Sequence, residues 1–280
     1  MARSRRAING NGSTYKLLFF SALGLVTLGS FFGLYFINDN PSPQLDAAFC
    51  PINSSQIGKS VSFVFDTTEP LSPSQYLDTQ NRVKNYIKNL NEFDSVRFYS
   101  VNSSETSGIS RLKISLGDGG VVINHFCMPR VGGWEQSPAQ KMLASLMPEL
   151  LVTEFVNAVN NDLVQNKSPI IDALRYVASD DDRIVPIQEV VVISDMIEHS
   201  KYTNMYRSGW YENEYLKNKQ KFVDSRPVYR DGTKVIVLSI MRPKTNVQDN
   251  KWLQFWLEMI SGTNQVYTVP VEFIKITGSL

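Results

Sequence analysis

Residues Glu189 to Ser194 read EVVVIS and residues Thr233 to Ile240 read TKVIVLSI. Both are continuous β-branched runs with no polar alternation, the composition of strands buried on both faces of a parallel sheet. Working outward, apolar runs of strand length alternate with helical-period segments. Val61 to Phe65 reads as a strand, and Ser74 to Leu90 as a helix with Tyr76, Val83, Ile87 and Leu90 on one face. Ser95 to Val101 and Arg111 to Leu116 read as further strands, and the Gly-rich run 117–120 as the turn of a hairpin into Val121 to Phe126. A long helical pattern covers Pro138 to Asp162, kinked at Pro148. Ser168-Pro169 is an N-cap followed by a proline at the first helical position, opening a helix through Val177. A helix over Val247 to Ile260 buries Trp252, Phe255, Trp256, Met259 and Ile260, and Gln265 to Ile274 is a final strand. The alternation predicts an α/β fold, a mostly parallel central sheet with helices on both faces.

The chain has 280 residues, 42% hydrophobic and 20% charged, enough for a substantial core and incompatible with wholesale disorder. Its net charge of +1 comes from 28 basic and 27 acidic residues. Removing Arg3, Arg5, Arg6 and Lys16 leaves 24 basic against 27 acidic, a net −3 for the rest. A slightly acidic body lacks the basic footprint of a nucleic-acid binder. Two cysteines and two histidines, without CxxC or HxxxH spacing, argue against a structural zinc site.

Leu17 to Ile37 carries no charge, and at about 1.5 Å per residue a helix of that length crosses roughly 30 Å of hydrocarbon. Basic residues precede it and acids follow it, so positive-inside bias places residues 1–16 in the cytoplasm and the remainder outside. The run is longer than the apolar core of a cleaved signal peptide, which favours an uncleaved anchor. Gly29 and Gly33 form a GxxxG spacing that would let two such helices associate into a homo-oligomer, although glycine is common in membrane helices for other reasons. The expected organisation is therefore a cytoplasmic tail over 1–16, a transmembrane helix over 17–37, a linker over 38–58 and an extracytoplasmic domain over 59–280, periplasmic in a bacterium. In an oxidising milieu Cys50 and Cys127 form either a disulfide or two separate buried thiols; spacing alone does not choose.

Open parallel sheets bind ligands beyond the C-terminal ends of their strands. Three sets of oxygen-bearing side chains fall there: VSFVFDTTEP over 61–70, SPIIDAL over 168–174 and VVVISDMIEHS over 190–200. In order and in strand or helix context these resemble the von Willebrand factor A domain, whose metal-ion-dependent adhesion site combines a DxSxS sequence, a later Thr and an Asp after a central strand. The resemblance spans roughly residues 59–276. It implies a vWA/Rossmann-like fold and a site for Mg2+, Mn2+ or Ca2+ formed by Asp66, Thr68, Ser168 and Asp195, with Pro70 where the family carries its second serine. Without the metal, Asp66 and Thr68 would serve to hold the loop by local hydrogen bonds.

The segment 199–230 is long for a connection and rich in aromatic residues, among them Tyr202, Tyr206, Trp210, Tyr211 and Tyr215. Such a segment beside the ligand end of the sheet reads as a protein-binding surface, or as a helix packed on the domain. The expected function is a membrane-anchored, non-enzymatic protein-binding module of an envelope-associated assembly such as a secretion, conjugation or defence apparatus. The alternative is a membrane-tethered, metal-dependent phosphohydrolase of the haloacid dehalogenase type, in which Asp66 would attack phosphorus and the partner acid position is Thr68.

Overall fold

The computed structural model describes residues 43–46, 48–66, 68–101, 109–111, 114–116, 121–123, 125–128, 166–179, 185–262 and 268–278. The expected membrane span, the GxxxG pair and the helical pattern over 138–162 lie outside these residues. Among the described residues no helix is long and apolar enough to cross a membrane.

The described residues form nine strands: β1 (Ser60–Asp66), β2 (Ser95–Val101), β3 (Ile109–Arg111), β4 (Ile114–Leu116), β5 (Val121–Ile123), β6 (His125–Cys127), β7 (Glu189–Ser194), β8 (Lys234–Ile240) and β9 (Val271–Ile276). The main sheet runs β3-β2-β1-β7-β8-β9, and β6 shares the outer edge of β2 with β3. The β2-β1-β7-β8-β9 core is parallel, while β3 and β6 are antiparallel to β2. This is an α/β fold compatible with the vWA/Rossmann-like class.

Both strands adjoining β1 come later in the chain, β2 on one side and β7 on the other, where β8 and β9 extend the sheet. The strand order therefore reverses between β1 and β7, and the crevice beyond their C-terminal ends is where open α/β sheets place ligands. Register pairs Phe65 with Ile193, so Asp66 and Ser194 leave the sheet side by side.

The β-branched runs are buried on both faces, as their composition requires. Val190, Val192, Val235 and Val237 face one core with helices α2 (Ile170–Ser179) and α4 (Asn250–Ser261), and Val191, Ile193, Ile236 and Leu238 face the other with α1 (Pro73–Lys88). Helices thus cover both faces, and a short helix, α3 (Lys219–Val223), precedes β8. On α4 the expected stripe of Trp252, Phe255, Trp256, Met259 and Ile260 is buried. Helix α1 begins with a capping box, the Ser72 hydroxyl accepting from Gln75 N at 3.3 Å and Gln75 Oε1 accepting from Ser72 N at 3.2 Å.

Local boundaries differ from the sequence reading in two places. Arg111 and Ile114–Leu116 belong to different sheets, because β3 pairs with β2 whereas β4 pairs with β5 in a separate hairpin. The hairpin itself is as expected, with Leu116 opposite Val121. Residues 44–58, expected to be linker, fold against the domain from Gln44 onward: Ala48, Cys50 and Ile57 enter the α1-side core. Cys50 and Cys127 are joined in a disulfide, which resolves the two possibilities the sequence left open. The bridge sits where Cys127 N donates to Ala48 O at 2.9 Å, so it fastens the start of the folded unit to β6 at the sheet edge.

Candidate functional site

The four residues drawn from three distant stretches meet at the crevice. Asp66, at the tip of β1, is the hub. Its Oδ1 accepts from Thr68 N at 3.1 Å and from Thr68 Oγ1 at 2.6 Å, an Asx turn that folds the β1 loop back on itself. Its Oδ2 accepts from Ser168 Oγ at 3.1 Å and Ser194 Oγ at 2.8 Å. One carboxylate therefore ties the ends of β1 and β7 and the entry to α2 with hydrogen bonds to a charged acceptor, each stronger than a neutral one.

Ser168 is not the N-cap that its sequence context suggested. Its backbone pairs with His199, Ser168 N donating to His199 O at 2.9 Å and His199 N returning to Ser168 O at 3.1 Å. The first turn of α2 is instead satisfied by Glu198, whose Oε2 accepts from Ile171 N at 3.0 Å. Glu198 is fully buried, and that burial pushes its carboxyl up to about 8. With the cap supplied from the β7 loop, the Ser168 hydroxyl is free to reach Asp66.

The loop after β7 is held by unusual backbone geometry. Met196 lies in the left-handed region at φ 56°, which costs a non-glycine residue on the order of 1 kcal/mol. Its amide donates to Ser194 Oγ at 2.7 Å, and its carbonyl accepts two indole N–H groups, from Trp252 at 2.8 Å and Trp256 at 2.6 Å. Two buried α4 side chains thus fix the turn that presents Asp195. Asp195 Oδ1 accepts from Ile197 N at 2.9 Å, and its backbone carbonyl accepts from Gln248 Nε2 at 2.9 Å.

Arg242, just beyond β8, closes the site. Its Nε donates to Asp195 Oδ2 at 3.0 Å, Nη1 donates to Pro70 O at 2.8 Å, Nη2 donates to Glu69 O at 3.4 Å, and Nε lies 3.4 Å from Glu69 Oε2. The guanidinium side chain is 16% exposed and the Asp195 side chain 5%. Burial, with Asp66 nearby, pushes the Asp195 carboxyl up to about 7, and Arg242 acts against that rise. On the solvent side the Tyr206 hydroxyl donates to Glu69, and burial and that bond raise the phenol above its usual range.

Hard oxygen donors at one point suit Mg2+, Mn2+ or Ca2+, the ions the resemblance implies. The donor set does not fit them. Hydroxyls donating to Asp66 are what such a cluster does with or without an ion, so they decide nothing. Two other features do decide. The position of the second family serine is Pro70, whose carbonyl serves Arg242, and the free oxygen of Asp195 also serves Arg242. Elsewhere, Asp46, Cys50 and His125 bring ligand-type atoms within 4.8 Å of one another. The Cys50 sulfur is part of the disulfide and offers no thiolate, and Asp46 Oδ1 accepts from Ala48 N and Cys50 N at 2.8 and 2.9 Å.

The aromatic segment divides. Tyr206 is 43% exposed beside the crevice, and Tyr202 is partly buried, its hydroxyl donating to Asp172 Oδ1 at 2.9 Å. Trp210, Tyr211 and Tyr215 are 8%, 9% and 1% exposed, so the expectation that they face a partner gives way to packing. A π-helical turn over Tyr211–Tyr215 turns these rings inward, where Trp210 and Tyr215 meet Phe255 edge-on at 5.4 and 4.9 Å. For the phosphohydrolase alternative, the place of the second acid is held by Thr68, hydrogen-bonded to the would-be nucleophile.

Sequence reasoning missed Arg242 and Glu198 as members of the site. The signal for Arg242 was its place at the ligand end of β8, next to β7; for Glu198, an acid within the apolar loop after Asp195.

No protein-family model matches this chain, and no curated protein matches it.

Proposed function

We propose that this chain is a membrane-anchored docking module whose folded domain stands outside the cytoplasm and binds another protein of an envelope-associated assembly, such as a secretion, conjugation or defence apparatus. The observation that carries this reading is the convergence of Asp66, Thr68, Ser168 and Asp195 at the sheet's switch point, on a loop held in a left-handed turn by two indoles. Polar groups at such a crevice, fixed by a scaffold that stores local strain, suit recognition. In this reading the chain is a vWA-like domain with a degenerate adhesion site, and Tyr206 and Glu69 form the exposed edge of its docking rim.

Two further features support it. An open cleft adjoins the rim, lined by Pro70, Leu71, Met241, Arg242, Lys244 and Lys275 among others, and among the described residues no acid contributes to its wall. The disulfide agrees with an extracytoplasmic domain, since such bonds persist in oxidising compartments. Fold-level likeness alone does not assign function, so the test must be on the rim itself.

Site-directed photo-crosslinking of the full chain in its native membrane tests the proposal. A photoreactive residue at Tyr206 is expected to capture a discrete partner. The same residue at Asn91, exposed before β2 and so at the other end of the parallel strands, is expected to capture none. Equal capture at both positions, or none at Tyr206, overturns docking through this rim.

A further inference from the structure

We infer that Arg242 is the resident cation of this site: its guanidinium takes the electrostatic role that the resemblance gives to a divalent ion, and the rim therefore docks its partner without metal. The inference rests on the docking reading for its consequence, but its physical core is the local structure alone.

Three carboxylates gather here. Asp66 and Glu69 come from the β1 loop and Asp195 from the β7 loop, and Arg242 Nε lies 3.4 Å from Glu69 Oε2 and 3.0 Å from Asp195 Oδ2. Such a cluster requires a counter-cation or the loss of charge. The resemblance would have Asp66 and Thr68 of the β1 loop and Asp195 of the β7 loop hold a divalent ion. Arg242 reaches the same two loops from the third neighbouring strand. Its Nε bonds Asp195 Oδ2 at 3.0 Å, and its Nη1 and Nη2 bond the carbonyls of Pro70 and Glu69 at 2.8 and 3.4 Å. A planar guanidinium with donors fixed in a fork can bind a carboxylate and carbonyls from different loops at once, which a lysine ammonium does less well.

Pro70 belongs to the same arrangement. Proline supplies no side-chain oxygen, yet its carbonyl is an acceptor, and Arg242 is the donor that uses it. A loop position without a side-chain oxygen and an arginine that bonds its carbonyl are therefore parts of one arrangement. Arg242 is itself positioned by its backbone: its amide donates to Gln248 Oε1 at 2.6 Å, and Gln248 Nε2 donates to the carbonyls of Ile240 and Asp195 at 2.8 and 2.9 Å. Gln75 Nε2 also donates to Met241 O at 2.8 Å, tying α1 to the same turn. The cation is thus held from both sides of the crevice.

Thermal unfolding of the purified full chain, with chelator or with millimolar Mg2+, Mn2+ or Ca2+, provides the test. A ligand specific to the native state must raise Tm with its concentration. Wild type is expected to show no metal-dependent rise beyond that of Asp66→Asn. Arg242→Ala is expected to lower Tm by about 5 °C or more, because it strands a buried carboxylate. Adding Asp195→Asn to that variant should restore part of the loss, a rescue that general damage to the fold would not show. A saturable metal-dependent rise in wild type that Asp66→Asn abolishes overturns the inference, as does an Arg242→Ala protein as stable as wild type, or a double variant no better than the single one. These outcomes do not depend on any partner. If they hold while crosslinking at Tyr206 fails, the docking reading falls and the resident cation stands.

Discussion

Removal of the Cys50–Cys127 bridge gives the most quantitative consequence of the fold. The two cysteines are 77 residues apart in sequence and both are fully buried. In the loop-closure description, a cross-link of that span reduces the unfolded chain's entropy by about 15 cal/mol/K, equivalent to about 4.5 kcal/mol at 25 °C. The interval includes β1, α1 and β2, so the unbridged chain must find the pairing of β6 with β2, and of the 44–58 segment with both, without a tether. Cys50→Ala with Cys127→Ala also removes two buried sulfurs from the α1-side core, which adds a smaller packing loss. Urea unfolding of the double variant beside oxidised wild type, followed by far-UV circular dichroism, should show a drop of about 5 kcal/mol. Wild type held in reductant should fall nearly as far. A loss below about 1 kcal/mol in both would refute the view that the bridge closes a long loop into an otherwise open edge.

Other consequences concern the loop after β7. Glu198 has its carboxyl raised from 4.5 to about 8, so between those values the folded protein holds a proton that the unfolded chain has lost. Its contribution to stability therefore falls as pH rises through that window, at up to about 1.4 kcal/mol per pH unit. Glu198→Gln keeps an acceptor for Ile171 N and should flatten this slope, becoming more stable than wild type above pH 8, as guanidinium titrations at several pH values would reveal; parallel pH profiles would contradict the assignment. Trp256→Ala removes a fully buried side chain and one of the two indoles on Met196 O, and should cost about 4 kcal/mol in the same unfolding assay.

The sheet was readable because its strands carry their burial in their composition: EVVVIS and TKVIVLSI fill both faces, and the α4 stripe repeats at helical spacing. The meeting of Asp66, Ser168 and Asp195 was also readable, since parallel strands put their ends together whatever lies between them in sequence. Arg242 was not, because a lone arginine beside a proline after a strand has no local mark that separates a site member from a solvated loop residue. Its role depends on β8 lying next to β7, a long-range fact. The aromatic segment misled for a related reason. Trp210, Tyr211 and Tyr215 fit neither a strand nor an ordinary helical stripe, and it is the wide π turn that brings Tyr215 to the same side as Trp210, both against Phe255. Likewise Ser168 and Pro169 look like a complete helix start, while the actual acceptor for Ile171 N arrives from Glu198.

Once a partner is captured at Tyr206, its affinity for the purified full chain, measured by calorimetry in chelator, is the most direct gauge of docking through the rim. Binding should persist without metal, weaken at least tenfold in Tyr206→Ala, about 1.4 kcal/mol, and be unchanged in Asn91→Ala. Binding that vanishes in chelator, or that Tyr206→Ala leaves intact, would show that the crevice between β1 and β7 is not where this protein meets its partner in the way its side chains suggest.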